Sequence, residues 1–151
     1  RPRNVLSATR GGVACRIVRS CAALGLNAVA VYSEADAEAL HVAEADEAHP
    51  IGPAKAADSY LVAANILKAA EAAGADAIHP GYGFLAENAD FAQAVGEAGL
   101  AWIGPRPQTI ADMGHKERAR LLAKGGGVPV PPASPRFLPA HPGPGRRAAG
   151  E

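Results

Sequence analysis

Apolar and polar positions follow two alternating rhythms along the chain. Val13, Ile17, Cys21 and Leu24 recur at three- and four-residue intervals, which predicts an amphipathic helix over residues 13–24. Tyr60, Ala64, Leu67 and Ala70 repeat the pattern, as do Phe91, Val95 and Ala98 in a helix that Asn88 is placed to cap. Ile110 and Met113 mark a short helix, and residues 116–124 a further one. Between these lie short apolar runs that read as strands: Asn4-Val5-Leu6-Ser7-Ala8, Ala28-Val29-Ala30-Val31-Tyr32, Ala77-Ile78 and Ala101-Trp102-Ile103. The second run does not alternate, so it is expected to be buried on both faces.

The junctions Leu24-Gly25-Leu26, Ala73-Gly74-Ala75 and Ala98-Gly99-Leu100 each place glycine where a helix stops and a strand begins. Helices that repeatedly feed strands predict an α/β fold, an open parallel sheet flanked by helices, over residues 4–104. The rhythm ends near residue 129. The Pro/Gly-rich remainder supports no periodic element, and a disordered tail is expected over residues 132–151.

Composition narrows the class. With 48% hydrophobic and 20% charged residues among 151, the chain has the make-up of one globular domain with a sizeable core. Fifteen basic residues balance fifteen acidic ones, which gives no support for a nucleic-acid or membrane partner. No apolar run is long enough to span a bilayer, and the basic opening Arg1-Pro2-Arg3 lacks the apolar stretch of a secretory signal. Cys15 and Cys21 fall on different faces of one helix, too far apart for a disulfide. Reduced, partly buried thiols and a cytoplasmic location are therefore expected.

Ligands of open parallel sheets bind at the carboxyl ends of the strands, and two glycine-rich loops belong there. Thr9-Arg10-Gly11-Gly12 follows the first strand and could hold an anion at a helix start. It is only half of a Gly-x-Gly-x-x-Gly dinucleotide motif, although Glu34 lies where a ribose ligand would be expected; a plain tight turn explains the glycines as well. His79-Pro80-Gly81-Tyr82-Gly83-Phe84-Leu85-Ala86-Glu87-Asn88 is more informative. Tyr82 there either faces a cleft, with Phe84 and Leu85 packed beneath, or is a surface aromatic on a structural turn. Lys116 can offer an ammonium to a phosphate, though a solvated surface lysine is the plainer reading. His41, His49, His115 and His141 show no ligand spacing and read as surface residues. Asp36, Glu38, Glu44, Asp46 and Glu47 read as a solvated helix face, and no metal site is expected.

Taken in order, several motifs resemble those of biotin carboxylases. They are Ala14-Cys15-Arg16-Ile17-Val18-Arg19, Ala30-Val31-Tyr32-Ser33-Glu34-Ala35-Asp36, Ala45-Asp46-Glu47-Ala48, Ile51-Gly52-Pro53, Ser59-Tyr60-Leu61, the His79–Asn88 loop, Ile103-Gly104-Pro105, Met113-Gly114-His115-Lys116 and Gly127-Val128-Pro129-Val130. The resemblance runs from about Asn4 to Pro131 and is to the carboxylase subunits of acetyl-, propionyl- and methylcrotonyl-CoA carboxylases. It implies a Rossmann-like, pre-ATP-grasp N-terminal domain over residues 1–131. It further implies that the parent enzyme uses MgATP and bicarbonate to carboxylate biotin on a carrier protein, with a carboxyltransferase as the next partner. By the same resemblance Lys116 contacts ATP, Tyr82 and Gly83 lie near the biotin or bicarbonate end of the cleft, and Arg19 is a candidate residue of a homodimer interface. No catalytic residue is assigned to this part.

The chain departs from the family pattern in places. Where the family has Asn-Arg-Gly-Glu-Ile, this chain has Thr9-Arg10-Gly11-Gly12-Val13; Ala86 replaces a serine, and His115 stands before Lys116 where Asp or Ser is usual. The family's glycine-rich phosphate loop does not follow Pro132, and the tail reads as truncated or out of frame. Three functions are expected to compete: a carboxylase fragment inactive on its own, a non-catalytic module that pairs with full-length carboxylase subunits, and an unrelated dinucleotide-binding domain.

Overall fold

The computed structural model describes residues 1–132 and divides the chain into two compact units, Arg1–His115 and a second beginning at Lys116. The expectations of a disordered or out-of-frame tail and of a surface His141 fall on residues 133–151 and lie outside the described residues.

The first unit is a five-stranded sheet, every pairing parallel, in the order β3-β2-β1-β4-β5. The strands are β1 (Asn4–Ser7), β2 (Asn27–Tyr32), β3 (Glu47–Pro50), β4 (Ala77–His79) and β5 (Ala101–Trp102). Between them run α1 (Gly11–Ala23), the short α2 (Leu40–Glu44), α3 (Ala63–Ala72) and α4 (Ala89–Glu97), and α5 (Pro107–Gly114) follows β5. The open parallel α/β sheet expected from the sequence is thus present.

Register sorts the core. Val5 pairs with Ala28 and Ala77, and these three pack with Ile17, Val18 and Cys21 of α1. Leu6 pairs with Val29 and Ile78, and these pack on the other face with Ile66 of α3 and Phe91 and Val95 of α4. Successive strand residues point to opposite faces, so each face needs its own helices. Burying one side chain the size of Ile66 or Phe91 contributes about 1.5–3 kcal/mol. Both cysteines are free and buried, as expected.

The three helix-ending glycines adopt the left-handed conformation, with φ of 67° at Gly25, 58° at Gly74 and 77° at Gly99. Each is followed by the same closing bond: Leu26 N–H donates to the Cys21 carbonyl, Ala75 N–H to Ala70, and Leu100 N–H to Val95. This is the Schellman arrangement, which satisfies the last carbonyls of a helix and turns the chain into the next strand. At the start of α4, Asn88 Oδ1 accepts the Phe91 N–H at 2.9 Å, the expected cap.

Several expectations need correction. β3 carries no apolar run and was not anticipated from the pattern: Glu47-Ala48-His49-Pro50 is an edge strand paired only to β2, where proline and charge are tolerated. Tyr60 is not helical; it precedes α3 and is fully buried. His41 is buried too, its Nε2 3.0 Å from the Val31 carbonyl. The acidic stretch is not one solvated helix face. Glu44 forms a two-pronged ion pair with Arg19, Asp46 accepts the Ala28 N–H, Glu47 lies on β3 beside His49, and Asp36 is the centre of the network described below.

In the second unit, α6 (Lys116–Gly125) has Glu117 in its first turn and Lys124 in its last, the order the helix dipole favours. Val128 N–H closes the helix onto the Ala123 carbonyl, and Arg120 donates to the Pro131 carbonyl.

Candidate functional site: the carboxyl edge of the sheet

Because all strands run the same way, the loops after Ser7, Tyr32, Pro50, His79 and Trp102 emerge along one edge. The two glycine-rich loops meet there. Gly81 has φ 70°, and a Cβ on it would lie 2.5 Å from Thr9 Cγ2 and 2.9 Å from Thr9 Cβ. Only glycine allows the second loop to press this closely on the first. The Gly81 N–H donates to His79 Nδ1 at 3.0 Å, so that nitrogen must carry no proton. Burial holds the His79 pKa below its ordinary value, which favours the neutral ring that this bond requires.

Beyond Gly81 the loop turns outward. Tyr82 is 86% exposed. Gly83 has φ 78°, and a Cβ there would meet nothing within 4 Å, so a ligand has room to approach the backbone. Phe84 then turns inward with φ 44°, the one non-glycine residue with positive φ among the described residues, and Leu85 is buried. A left-handed phenylalanine costs about 1–2 kcal/mol, which neighbouring contacts must offset.

Those contacts come from the other loops. The Phe84 ring stacks on Tyr60, centroids 4.9 Å apart and planes 13° from parallel. The Arg10 guanidinium lies 5.3 Å from the Tyr60 centroid and 5.5 Å from that of Phe84. Arg10 also pairs with Asp36 at 3.2 Å. Asp36 Oδ2 accepts the Tyr60 hydroxyl at 2.7 Å and the Ser33 hydroxyl at 3.2 Å. Burial pushes the Asp36 carboxyl up, but the bonds from Tyr60, Arg10 and Ser33 prevail and hold it below the ordinary carboxylate value. Burial and the same carboxylate push the Tyr60 phenol up to about 12. Sequence reasoning missed this network, whose partners stand 24 and 26 positions apart. In the first loop, then, the Arg10 guanidinium is engaged by the chain's own Asp36 carboxylate and by the two rings, with 43% of its side chain still exposed. Glu34, the candidate ribose ligand, is exposed.

On the α1 side of the sheet, a groove of about 480 Å³ is lined by Val13, Arg16 and Ile17 of α1 and by His79, Tyr82 and Ile103. Gly81 and Tyr82 of the second loop thus help line an open groove, and Gly83 follows them in the chain. Lys116 belongs to the second unit, where it is exposed at the start of α6. Arg19, the candidate interface residue, is held by Glu44 within the chain. The described residues contain no group of three or more His, Cys, Asp or Glu placed to hold a metal ion, and no helix among them is long and apolar enough to cross a membrane.

The sequence pattern of the family described as "Biotin carboxylase, N-terminal domain" matches residues 1–110. The chain belongs to this family. Biotin carboxylase 1 of Bacillus subtilis is 53% identical over 132 residues, a span that covers 87% of this chain and 29% of that protein. The biotin-dependent acyl-coenzyme A carboxylase alpha3 subunit of Mycobacterium leprae is 56% identical over 131 residues, 87% of this chain and 22% of that protein. Among solved structures, the biotin carboxylase domain dimer of Hydrogenobacter thermophilus 2-oxoglutarate carboxylase, in complex with MgADP, ADP and bicarbonate, superposes with a TM-score of 0.82 at 47% identity, covering 88% of this chain and 29% of that one. This biotin carboxylase N-terminal domain thus spans less than a third of the relatives it matches. The resemblance read from its motifs is confirmed, and so is the fold.

Proposed function

We propose that this chain supplies the N-terminal wall of a biotin carboxylase cleft, in an enzyme that uses MgATP and bicarbonate to carboxylate carrier-bound biotin. The observation that carries the reading is the outward-turned Tyr82-Gly83 pair at the carboxyl edge of a biotin carboxylase-type sheet. An exposed aromatic beside an open backbone suits a flat ring system such as the ureido end of biotin, which can lie on the tyrosine and take a backbone hydrogen bond at Gly83. Lys116, exposed at a helix start, is a fitting contact for an ATP phosphate. Bound MgATP would supply the phosphoryl group that activates bicarbonate.

We also propose that these 151 residues do not turn over on their own. Phosphoryl transfer needs metal-binding carboxylates and several cations arranged around one phosphate, and the described residues gather no group of three or more His, Cys, Asp or Glu that could hold the metal. The partners of the reading are a biotin carboxyl carrier protein, a carboxyltransferase and a second carboxylase subunit. A second reading, non-catalytic pairing with full-length carboxylase subunits, draws on the open apolar groove beside α1. Gel filtration of the chain mixed with an intact carboxylase would show a mixed species if that reading holds.

Titration with biotin, followed by tyrosine ring resonances in NMR spectra, tests the main reading. Biotin should shift the Tyr82 signals, and MgATP should shift signals of Lys116. No movement at Tyr82 at saturating biotin would overturn the assignment. Bicarbonate-dependent ATP hydrolysis by the purified chain, lost in Lys116→Ala, would overturn the proposed inactivity.

A further inference from the structure

Four loops leave the carboxyl edge of the sheet and send one side chain each into a single cluster: Arg10 after β1, Asp36 after β2, Tyr60 after β3 and Phe84 after β4. Phe84 is directly joined to the Tyr82-Gly83 pair, and its backbone is the left-handed exception among the described non-glycine residues. A phenylalanine keeps that conformation only where its surroundings hold it. Here Tyr60 covers the ring from one side at 4.9 Å, and the Arg10 guanidinium lies over both rings. Arg10 is itself held by Asp36, the same carboxylate that takes the Tyr60 hydroxyl, so the cation and the phenol are locked to one oxygen. The Ser33 N–H donates to the Tyr60 hydroxyl oxygen at 3.2 Å and fixes the far end of that ring.

We infer that Arg10 is a positioning residue for the substrate-facing loop: through Asp36 and Tyr60 it clamps Phe84, and the clamp sets where Tyr82 and Gly83 stand. The inference rests on the reading of Tyr82 and Gly83 as the biotin-facing pair. Arg10 touches no substrate in this arrangement. It acts through two aromatic rings, with its Cζ 5.3 and 5.5 Å from their centroids, and through Asp36; the spread-out guanidinium reaches all three at once, which a point-like ammonium does not. The glycine at position 83 gives the hinge on one side of Phe84. On the other side the Ala86 N–H bonds back to the Gly83 carbonyl at 2.9 Å and closes the turn.

Amide hydrogen exchange on the full chain reads the clamp without any ligand. Arg10→Gln should speed exchange at Ala86 by about tenfold while Leu6 and Val29 in the central strands keep their protection. Arg10→Lys, which keeps the charge for Asp36 and loses the guanidinium beside the two rings, should give a smaller rise of about threefold at the same amide. In the biotin titration, Arg10→Gln should weaken the apparent affinity while the shift of the Tyr82 signals at saturation stays close to that of the parent chain. Unchanged Ala86 exchange in Arg10→Gln with the strands still protected would overturn the inference. Should Arg10→Gln unfold the whole chain, Arg10→Lys decides, and Ala86 exchange equal to the parent's would overturn the inference. If biotin does not bind the parent chain at all, the proposed function falls, and the exchange measurement still decides whether Arg10 holds the loop.

Discussion

The two glycine-rich loops at the sheet edge resemble each other in sequence and differ in what their side chains find. In Thr9-Arg10-Gly11-Gly12 the one charged group is held by Tyr60, Phe84 and Asp36. In the loop after β4, the backbone is packed tightly at Gly81 and then opens, leaving Tyr82 in solvent and bare space above Gly83. One loop is structural support and the other is presented surface. Glycine content does not distinguish them; the partners of the residues beside the glycines do.

The sharpest way to break this comparison lies within the second loop. Gly81→Ala should destabilise the chain by about 2–4 kcal/mol, from overpacking on Thr9 together with a left-handed alanine. Gly83→Ala meets only the conformational penalty and should cost about 1–2 kcal/mol. Urea unfolding of the two variants checks this, and equal losses would mean that the tight and open ends of the loop are not distinct.

Asp36→Asn comes next, at about 1–3 kcal/mol near neutral pH, because the acceptor shared by Arg10, Tyr60 and Ser33 loses its charge. The sign of the pH dependence is fixed by the depressed pKa of Asp36. Its contribution is complete above the ordinary value of 3.8 and is lost as pH falls through the lower folded value, so the gap between parent and variant should close in acid. Unfolding curves collected from neutral to acidic pH read this directly.

Tyr60→Phe should cost about 1 kcal/mol at neutral pH. Its clearer signature is alkaline. The folded phenol is raised from 10.0 to about 12, so the unfolded chain ionises first and the parent loses stability over that interval. The variant should lack that loss, and ultraviolet titration of the folded parent should show one late phenol that disappears with the substitution. The smallest expected effect is that of Tyr82→Ala, a change within about 0.5 kcal/mol in stability, as suits a residue held for presentation and not for packing. Thermal melts measure it, and a large loss would move Tyr82 from the presented class to the supporting one.

Much of the fold was legible because it is written locally. Gly25, Gly74 and Gly99 announce helix ends within a few residues of the bonds they permit, and β2 declares its two-sided burial by an unbroken apolar run. β3 was not legible. An edge strand paired on one side needs no apolar continuity, and Glu47-Ala48-His49-Pro50 offers none. For the candidate site, Tyr82 and Gly83 could be proposed because the loop itself is unusual. The support beneath them could not. Asp36 looked like one more acid in an acidic stretch, and nothing within a few residues shows that a tyrosine 24 positions on and an arginine 26 positions back converge on it. His41 was misjudged for the same reason: its partner is a strand carbonyl ten residues earlier.

The groove beside α1 has a practical consequence for handling the chain. Its apolar walls, with Arg16 among them, make a natural seat for the anionic dye ANS. Bright dye fluorescence is therefore expected from the native state, accompanied by intact near-ultraviolet dichroism from Trp102 and the tyrosines. A purification screen that treats such fluorescence as a mark of misfolding would discard correctly folded material.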